Sequence, residues 1–216
     1  MIRAVLFDLD GLMVDSEPHS LRSWHAILAS RGVSLDQPTT ERMLGLRQVE
    51  TGKMLVERYR LPDQPSALSR EKEEYQIGHL DGNVSAMPGL LALLDEIDRR
   101  GLHKAVASSG VRRYVHAVLQ IVGLTGRFST IITGDDVQNG KPAPDTFLAA
   151  AHALQIDPPH CLVLEDAPAG VQAAKAAGMQ CAAVPNQYTH KLDLSLADYL
   201  FSSLLAVRGA LPNLIV

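Results

Sequence analysis

Cysteine is scarce in this 216-residue chain, which has only Cys161 and Cys181. Their spacing is that of neither a metal knuckle nor a redox pair. Each lies in an apolar stretch, so both read as buried, reduced thiols. Long apolar runs are also lacking: none reaches the roughly 18 residues that a membrane span needs. Positive charge is not in excess, with 20 Lys and Arg against 24 Asp and Glu and a formal net charge of −4. That balance gives no electrostatic case for nucleic acid, which favours basic patches. An anionic substrate would need local help, from a metal or a placed lysine. There is no internal repeat and no low-complexity tract. The opening MIRAVLFDLDG has a short apolar segment followed at once by acids, unlike a signal peptide, so a cytoplasmic location is expected. What remains is ordinary globular composition, 46% hydrophobic and 20% charged. The length suits one domain with an insertion, or two small domains.

AVLFDLDG (4–11) reads as a buried parallel strand whose carboxyl end carries polar groups. A helix is predicted from near Ser16, with Glu17 and Pro18 in its first turn and Leu21, Trp24, Ile27 and Leu28 at helical spacing. It stops before Gly32. The stretch 38–86 is polar, with Met43, Leu44, Met54, Leu55 and Tyr59 at helical spacing and no strong strand signal. It reads as a separate helical unit. Met87-Pro88-Gly89 breaks the pattern. Beyond it, helices at 90–101, 113–124, 144–154 and 169–178 alternate with strands at 104–110, 161–167 and 180–186 and with a strand and loop at 129–137. Such alternation predicts an α/β fold, a Rossmann-like parallel sheet flanked by helices. The closing LFSSLLAVRGALPNLIV reads as a packing helix and tail.

In such sheets ligands bind beyond the carboxyl ends of the strands. The polar residues there are Asp8 and Asp10, Ser108 and Ser109, Asp135, Asp136 and Lys141, then Glu165 and Asp166. Four segments far apart in sequence thus deliver carboxylates, hydroxyls and one ammonium to one edge. Asp8 and Asp10 are two apart, and in a regular strand both would point to the same face. Carboxylates that close repel, unless a cation lies between them or one holds a proton. Glu165 and Asp166 add negative charge. This oxygen-rich cluster suits a hard dication. Mg²⁺ fits, taking one or two carboxylates plus waters and a substrate phosphate. Lys141 would offset the remaining charge. Taken singly, an Asp-x-Asp also reads as a solvated loop pair and Lys141 as a surface lysine. Their joint placement at strand ends reads as a site.

The strings FDLDGLMVDSEP, VASSG, GKPAPDTF and LEDAPAGVQAAKAAG resemble, in order and spacing, the four motifs of the haloacid dehalogenase-like hydrolases. They look most like the branch that carries a helical cap after the first motif. That branch includes β-phosphoglucomutase, phosphoglycolate phosphatase, sugar-phosphate phosphatases and pseudouridine-5'-phosphatase. The resemblance implies a catalytic core at 1–16 and 87–216 and an inserted small helical-bundle cap domain at 17–86. It implies that Asp8 attacks phosphorus and becomes an aspartyl phosphate. Asp10 would protonate the leaving oxygen and then activate water. Ser108 would bind the phosphoryl group with the Ser109 backbone N–H, and Lys141 would neutralise charge. Asp166, with Glu165 beside it, would hold Mg²⁺ together with the Asp8 side chain and the Asp10 carbonyl. Gly11 would provide the turn toward the cap and belong to the substrate-binding set. Dehalogenases lack the second aspartate and the metal acids, so phosphate chemistry is implied.

In this branch the cap selects the substrate. Its candidates are Glu17, His19, Arg47 and Lys72. His19 lies near the position of a mutase histidine, but the string DSEPH is one residue shorter than the mutase spacing. Arg47 lies near a mutase arginine, also one residue out of step, and suits a second anionic group. Lys72, in SREKEEY, reads as part of a solvated helix face. EDAP in place of a mutase-type EDS favours hydrolysis. The expected activity is therefore Mg²⁺-dependent hydrolysis of a small phosphomonoester, a sugar or nucleoside phosphate, by a monomer with no nucleic-acid or membrane partner. A phosphosugar mutase and a non-catalytic regulator of the same fold stand as alternatives.

Overall fold

The apolar run of AVLFDLDG forms strand β1, Ala4–Phe7, and all four of its residues are completely buried. The computed structural model describes residues 1–43, 46, 48–80 and 84–215. Leu44, Gly45 and Arg47 lie outside the described residues. The chain divides into two compact units, one of residues 1–15 and 85–216, the other of residues 16–84.

In the first unit β1 is followed by a two-residue strand, β2 (Val14–Asp15). The second unit supplies α1 (Glu17–Ala29), α2 (Gln37–Met43), α3 (Gln48–Tyr59) and α4 (Pro65–Gly78). The first unit resumes with β3 (Ser85–Ala86), α5 (Leu90–Arg99), β4 (His103–Ala107), α6 (Arg112–Ile121) and β5 (Thr130–Ile132). It continues with α7 (Asp145–Leu154), β6 (Cys161–Glu165), α8 (Pro168–Ala176), β7 (Gln180–Ala183), β8 (Tyr199–Leu200) and α9 (Leu204–Leu214). The main sheet runs β5-β4-β1-β6-β7-β8, and every neighbouring pair is parallel. This is the mostly parallel, helix-flanked sheet that the alternation predicts.

Strand periodicity explains why both faces of β1 are apolar. Ala4 and Leu6 join a core with Phe147, Ala150 and Ala151 of α7 and Val171, Ala173 and Ala174 of α8. Phe7 meets Phe128 edge-on at 5.8 Å between ring centroids. β2 and β3 pair antiparallel, Val14 with Ala86 and Asp15 with Ser85, where the chain leaves and re-enters the first unit. These pairs, and edge strand β8, are two residues long and show no alternation, so the sequence pattern does not reveal them. The strand and loop expected at 129–137 divide at Ile132: β5 ends there, and Gly134–Asp136 forms a 3₁₀ turn. The last predicted strand ends at Ala183 rather than 186.

The second unit has its own core of Trp24, Ile27, Leu28, Leu35, Met43, Leu55 and Leu68. Arg31 binds Asp63 and Glu71 across it. Among the described residues, no helix is long and apolar enough to cross a membrane.

Candidate active site

Parallel pairing places the carboxyl ends of β1, β4, β5 and β6 side by side, because Phe7 is in register with both Val106 and Leu164. Asp8 extends the ladder with its N–H to the Leu164 carbonyl at 3.1 Å. Its carboxylate accepts from Lys141 Nζ at 2.5 Å. Lys141 also donates to Glu165 Oε1 at 2.7 Å and stands 4.6 Å from the centre of the Phe147 ring. All three charged groups are buried.

Glu165 ends β6 and is folded back on the following turn. Its Oε2 accepts the backbone N–H groups of Asp166 at 2.9 Å and Ala167 at 3.0 Å. A side chain at Gly170, on the first turn of α8, would overlap the Glu165 carboxylate. Both Glu165 oxygens are thus engaged by Lys141 and the backbone. Asp166 Oδ2 accepts from the Asn186 side-chain amide at 2.9 Å, and the same nitrogen reaches the Gly11 carbonyl at 3.0 Å. Gly11 has φ +83°, and a Cβ there would collide with Asp166 Oδ2. Glycine is therefore required on both conformational and spatial grounds.

Asp10 lies beyond the strand, half-buried, and its Oδ1 accepts from the Tyr114 hydroxyl at 2.5 Å. Ser108, at the end of β4, is buried, and its Oγ accepts the Gly110 N–H at 3.0 Å. Ser109 is exposed. Asp135 and Asp136 do not join the cluster. Asp135 accepts from the Arg112 N–H, and Asp136 caps the 3₁₀ turn through Thr133.

Three buried carboxylates, Asp8, Glu165 and Asp166, bring oxygens within 4.8 Å of one another. Burial raises the Asp8 carboxyl to about 7; the Lys141 ammonium opposes this, and repulsion from Glu165 and Asp10 reinforces it. Burial likewise pushes Asp166 well up, with Glu165 and Asp8 adding to the rise. Burial disfavours the Lys141 charge, but Asp8 and Glu165 more than offset this, and its pKa lies above the usual lysine value. One buried ammonium cannot balance three buried carboxylates. An oxygen-only donor set with that surplus fits a hard dication.

Glu17, His19 and Lys72 belong to the second unit. Glu17 opens α1 and is half-buried. His19 is buried, and its Nε2 lies 2.9 Å from the Gln76 carbonyl. Lys72 does not lie on a solvated face. It is 4% exposed, donates to Ser20 at 2.9 Å and to the Gln76 side chain, and faces the Trp24 ring at 5.7 Å. A local charge run conveys nothing of the Trp24 side that packing turns it toward. Arg47 lies outside the described residues. Both cysteines are buried, and burial pushes Cys161 to about 11 and Cys181 to about 12, so they are inert thiols.

Residues 5–184 match the family described as haloacid dehalogenase-like hydrolase. This chain belongs to that family. It is 33% identical over 175 residues to the fructose-1-phosphate phosphatase YqaB of Escherichia coli (strain K12), covering 81% of this chain and 92% of that one. Its fold superposes on CbbY from Rhodobacter sphaeroides, solved with phosphate, with a TM-score of 0.83 at 27% identity and 96% coverage of each chain. It also matches β-phosphoglucomutase (pgmB) from Clostridium difficile, with a TM-score of 0.77 at 25% identity, covering 94% of this chain and 92% of that one. The chain is an enzyme, a phosphoric monoester hydrolase of the haloacid dehalogenase-like kind.

Asn186 and Tyr114 are not among the residues expected at the strand ends. Asn186 ends the QCAAVPN string, so the rule that points to Asp8 and Asp166 points to it as well. Tyr114 lies on the apolar face of a helix, and its polar tip gives no periodic signal.

Proposed function

We propose that this enzyme hydrolyses a small phosphomonoester, a sugar or nucleoside phosphate, in two steps through a phosphoryl group held on Asp8. The observation that carries this reading is the buried contact of Lys141 with Asp8 at the carboxyl edge of the sheet. An ammonium there screens the nucleophile as an anionic substrate arrives, and then faces charge on the phosphoryl oxygens.

In the first step an Asp8 oxygen forms a bond to phosphorus as the phosphorus–oxygen bond to the alcohol breaks. The leaving oxygen takes a proton from Asp10. In the second step water attacks the same phosphorus, Asp10 takes the water's proton, and the Asp8 carboxylate departs. Two easier displacements replace one difficult one. Ser108 accepts from Gly110 through Oγ, and its own O–H would donate to a phosphoryl oxygen. The Ser109 N–H assists. Asp8, Asp166 and the Asp10 carbonyl would hold Mg²⁺, which supplies positive charge beside the transferring group. Glu165, engaged by three N–H donors, serves as the anchor of Lys141. Glu17, His19 and Arg47, on the inserted unit, would select the alcohol portion of the substrate.

The test is a phosphomonoester panel with Mg²⁺, scored by kcat/KM, beside Asp8→Asn. The wild type should turn over a small sugar or nucleoside phosphate. The variant should fold normally and lose at least about a thousandfold in kcat. Equal activity in the variant sinks the mechanism. The likeness to β-phosphoglucomutase supports a second reading, a phosphosugar mutase. A bisphosphate requirement and conversion of β-glucose 1-phosphate to glucose 6-phosphate would establish it instead.

A further inference from the structure

We propose that Tyr114 is a positioning residue that holds the Asp10 carboxyl group in place for proton transfer; this rests on the acid–base role assigned to Asp10 above. The two residues are 104 positions apart, and the Tyr114 hydroxyl donates to Asp10 Oδ1 at 2.5 Å. That is the short end of the O–H···O range.

The two ends of this bond are held very differently. Tyr114 is in the first turn of α6, on the face it shares with Val115, Val118 and Leu119, all buried. Its ring packs against the turn after β4, so closely that a Cβ on Gly110 would lie 2.9 Å from Tyr114 Cδ1. That turn follows Ser108, so the tyrosine ring packs against the segment that carries the proposed phosphoryl-binding hydroxyl. Asp10, by contrast, lies past the last ladder residue of β1, in an isolated bridge to Val14. It is half-buried. Ordering a carboxylate at a strand-to-turn junction costs side-chain entropy. The hydroxyl, carried on α6, contributes to that order through its bond to Oδ1.

The chemistry demands such an arrangement. A general acid must lie within hydrogen-bond reach of the oxygen that it serves. Asp10 has two such oxygens to serve in succession, that of the departing alcohol and that of the incoming water. A displacement of about 1 Å costs up to roughly a hundredfold in rate. A packing role alone accounts for the ring but not for the hydroxyl. Phenylalanine would bury the same ring with no polar atom to satisfy.

The experiment is Tyr114→Phe, alone and combined with Asp10→Asn, assayed on the best substrate from the panel. The single variant should melt within a few degrees of the wild type and keep KM within about twofold, while kcat falls about ten- to a hundredfold. Rapid-quench measurement should show both phosphoryl-enzyme formation and its breakdown slowed, since both use Asp10. In the Asp10→Asn background, Tyr114→Phe should add no further loss, because a residue that acts through another is not additive with it. A kcat within twofold of the wild type overturns the proposal, and so does an equal fold-loss in both backgrounds. A Tyr114→Phe chain that fails to fold overturns it as well, by showing that the hydroxyl serves the architecture. A wild type inactive on every ester refutes the acid–base reading beneath it; an active wild type indifferent to Tyr114→Phe refutes the positioning role alone.

Discussion

Lys141 Nζ lies 2.5 Å from Asp8 Oδ1, although 133 positions separate the two residues. The same ammonium bridges to Glu165, so its removal would leave two buried carboxylates without their cation. Lys141→Met keeps most of the side-chain volume and discards the charge. It should lower kcat by about a hundredfold or more. It should also cost on the order of 3 kcal/mol in chemical denaturation, the penalty typical of breaking a buried ion pair. A variant with wild-type stability would show that Asp8 and Glu165 do not depend on this lysine.

Gly170 makes room for the Glu165 carboxylate. Gly170→Ala would ordinarily favour a helix, by roughly 0.5–1 kcal/mol at an exposed site. Here the added methyl group meets a carboxylate held by Lys141 and two backbone amides, which has little freedom to move. The expected result is a net loss of about 1–3 kcal/mol, with kcat reduced at least about tenfold as Lys141 shifts. Thermal melting and steady-state assay check both. An alanine variant as stable and active as the wild type would mean that Glu165 relaxes freely.

That the residues of this candidate site lie together is largely legible in the sequence. Asp8, Asp10, Ser108, Lys141, Glu165 and Asp166 follow apolar runs or glycine-rich turns, and one rule about strand ends gathers them. What the sequence withholds is direction. Nothing in SREKEEY says that Lys72 turns inward to Ser20 and Gln76, because its burial comes from helices remote in sequence. Nothing in LEDAP shows that the Glu165 carboxylate, besides facing the cluster, is held by the N–H groups of its own turn. Tyr114 has the spacing of a core residue, and only the tertiary fold aims its hydroxyl at Asp10. Strands of two residues, such as β8, are too short to carry a period.

Asn186 holds Asp166 and the Gly11 carbonyl through one nitrogen. Its Oδ1 accepts from the Tyr188 and Thr189 backbone, so the amide is fixed on both sides. Outer residues that orient a metal-binding carboxylate are typically worth about 10- to 100-fold in metal affinity. Asn186→Ala should weaken Mg²⁺ binding by that factor in calorimetric titration, a readout independent of turnover. Unchanged affinity would assign the bond to loop packing only.

Asp198 offers a pH test away from the site. It accepts from Lys175 at 2.6 Å and from the Cys181 N–H at 2.8 Å, tying the approach to β8 onto β7 and α8. Burial pushes its carboxyl upward, but the Lys175 ammonium and the Cys181 amide more than offset this, and its pKa lies below the ordinary value. A group with a depressed folded-state pKa adds stability above its unfolded value, near 3.9 for aspartate, and loses it as pH falls through the folded value. Asp198→Asn should therefore melt a few degrees below the wild type at pH 7. The gap should be constant down to about pH 4 and close as the wild-type carboxylate takes up its proton at lower pH. A gap that persists unchanged below the folded pKa would attribute the difference to geometry rather than to charge.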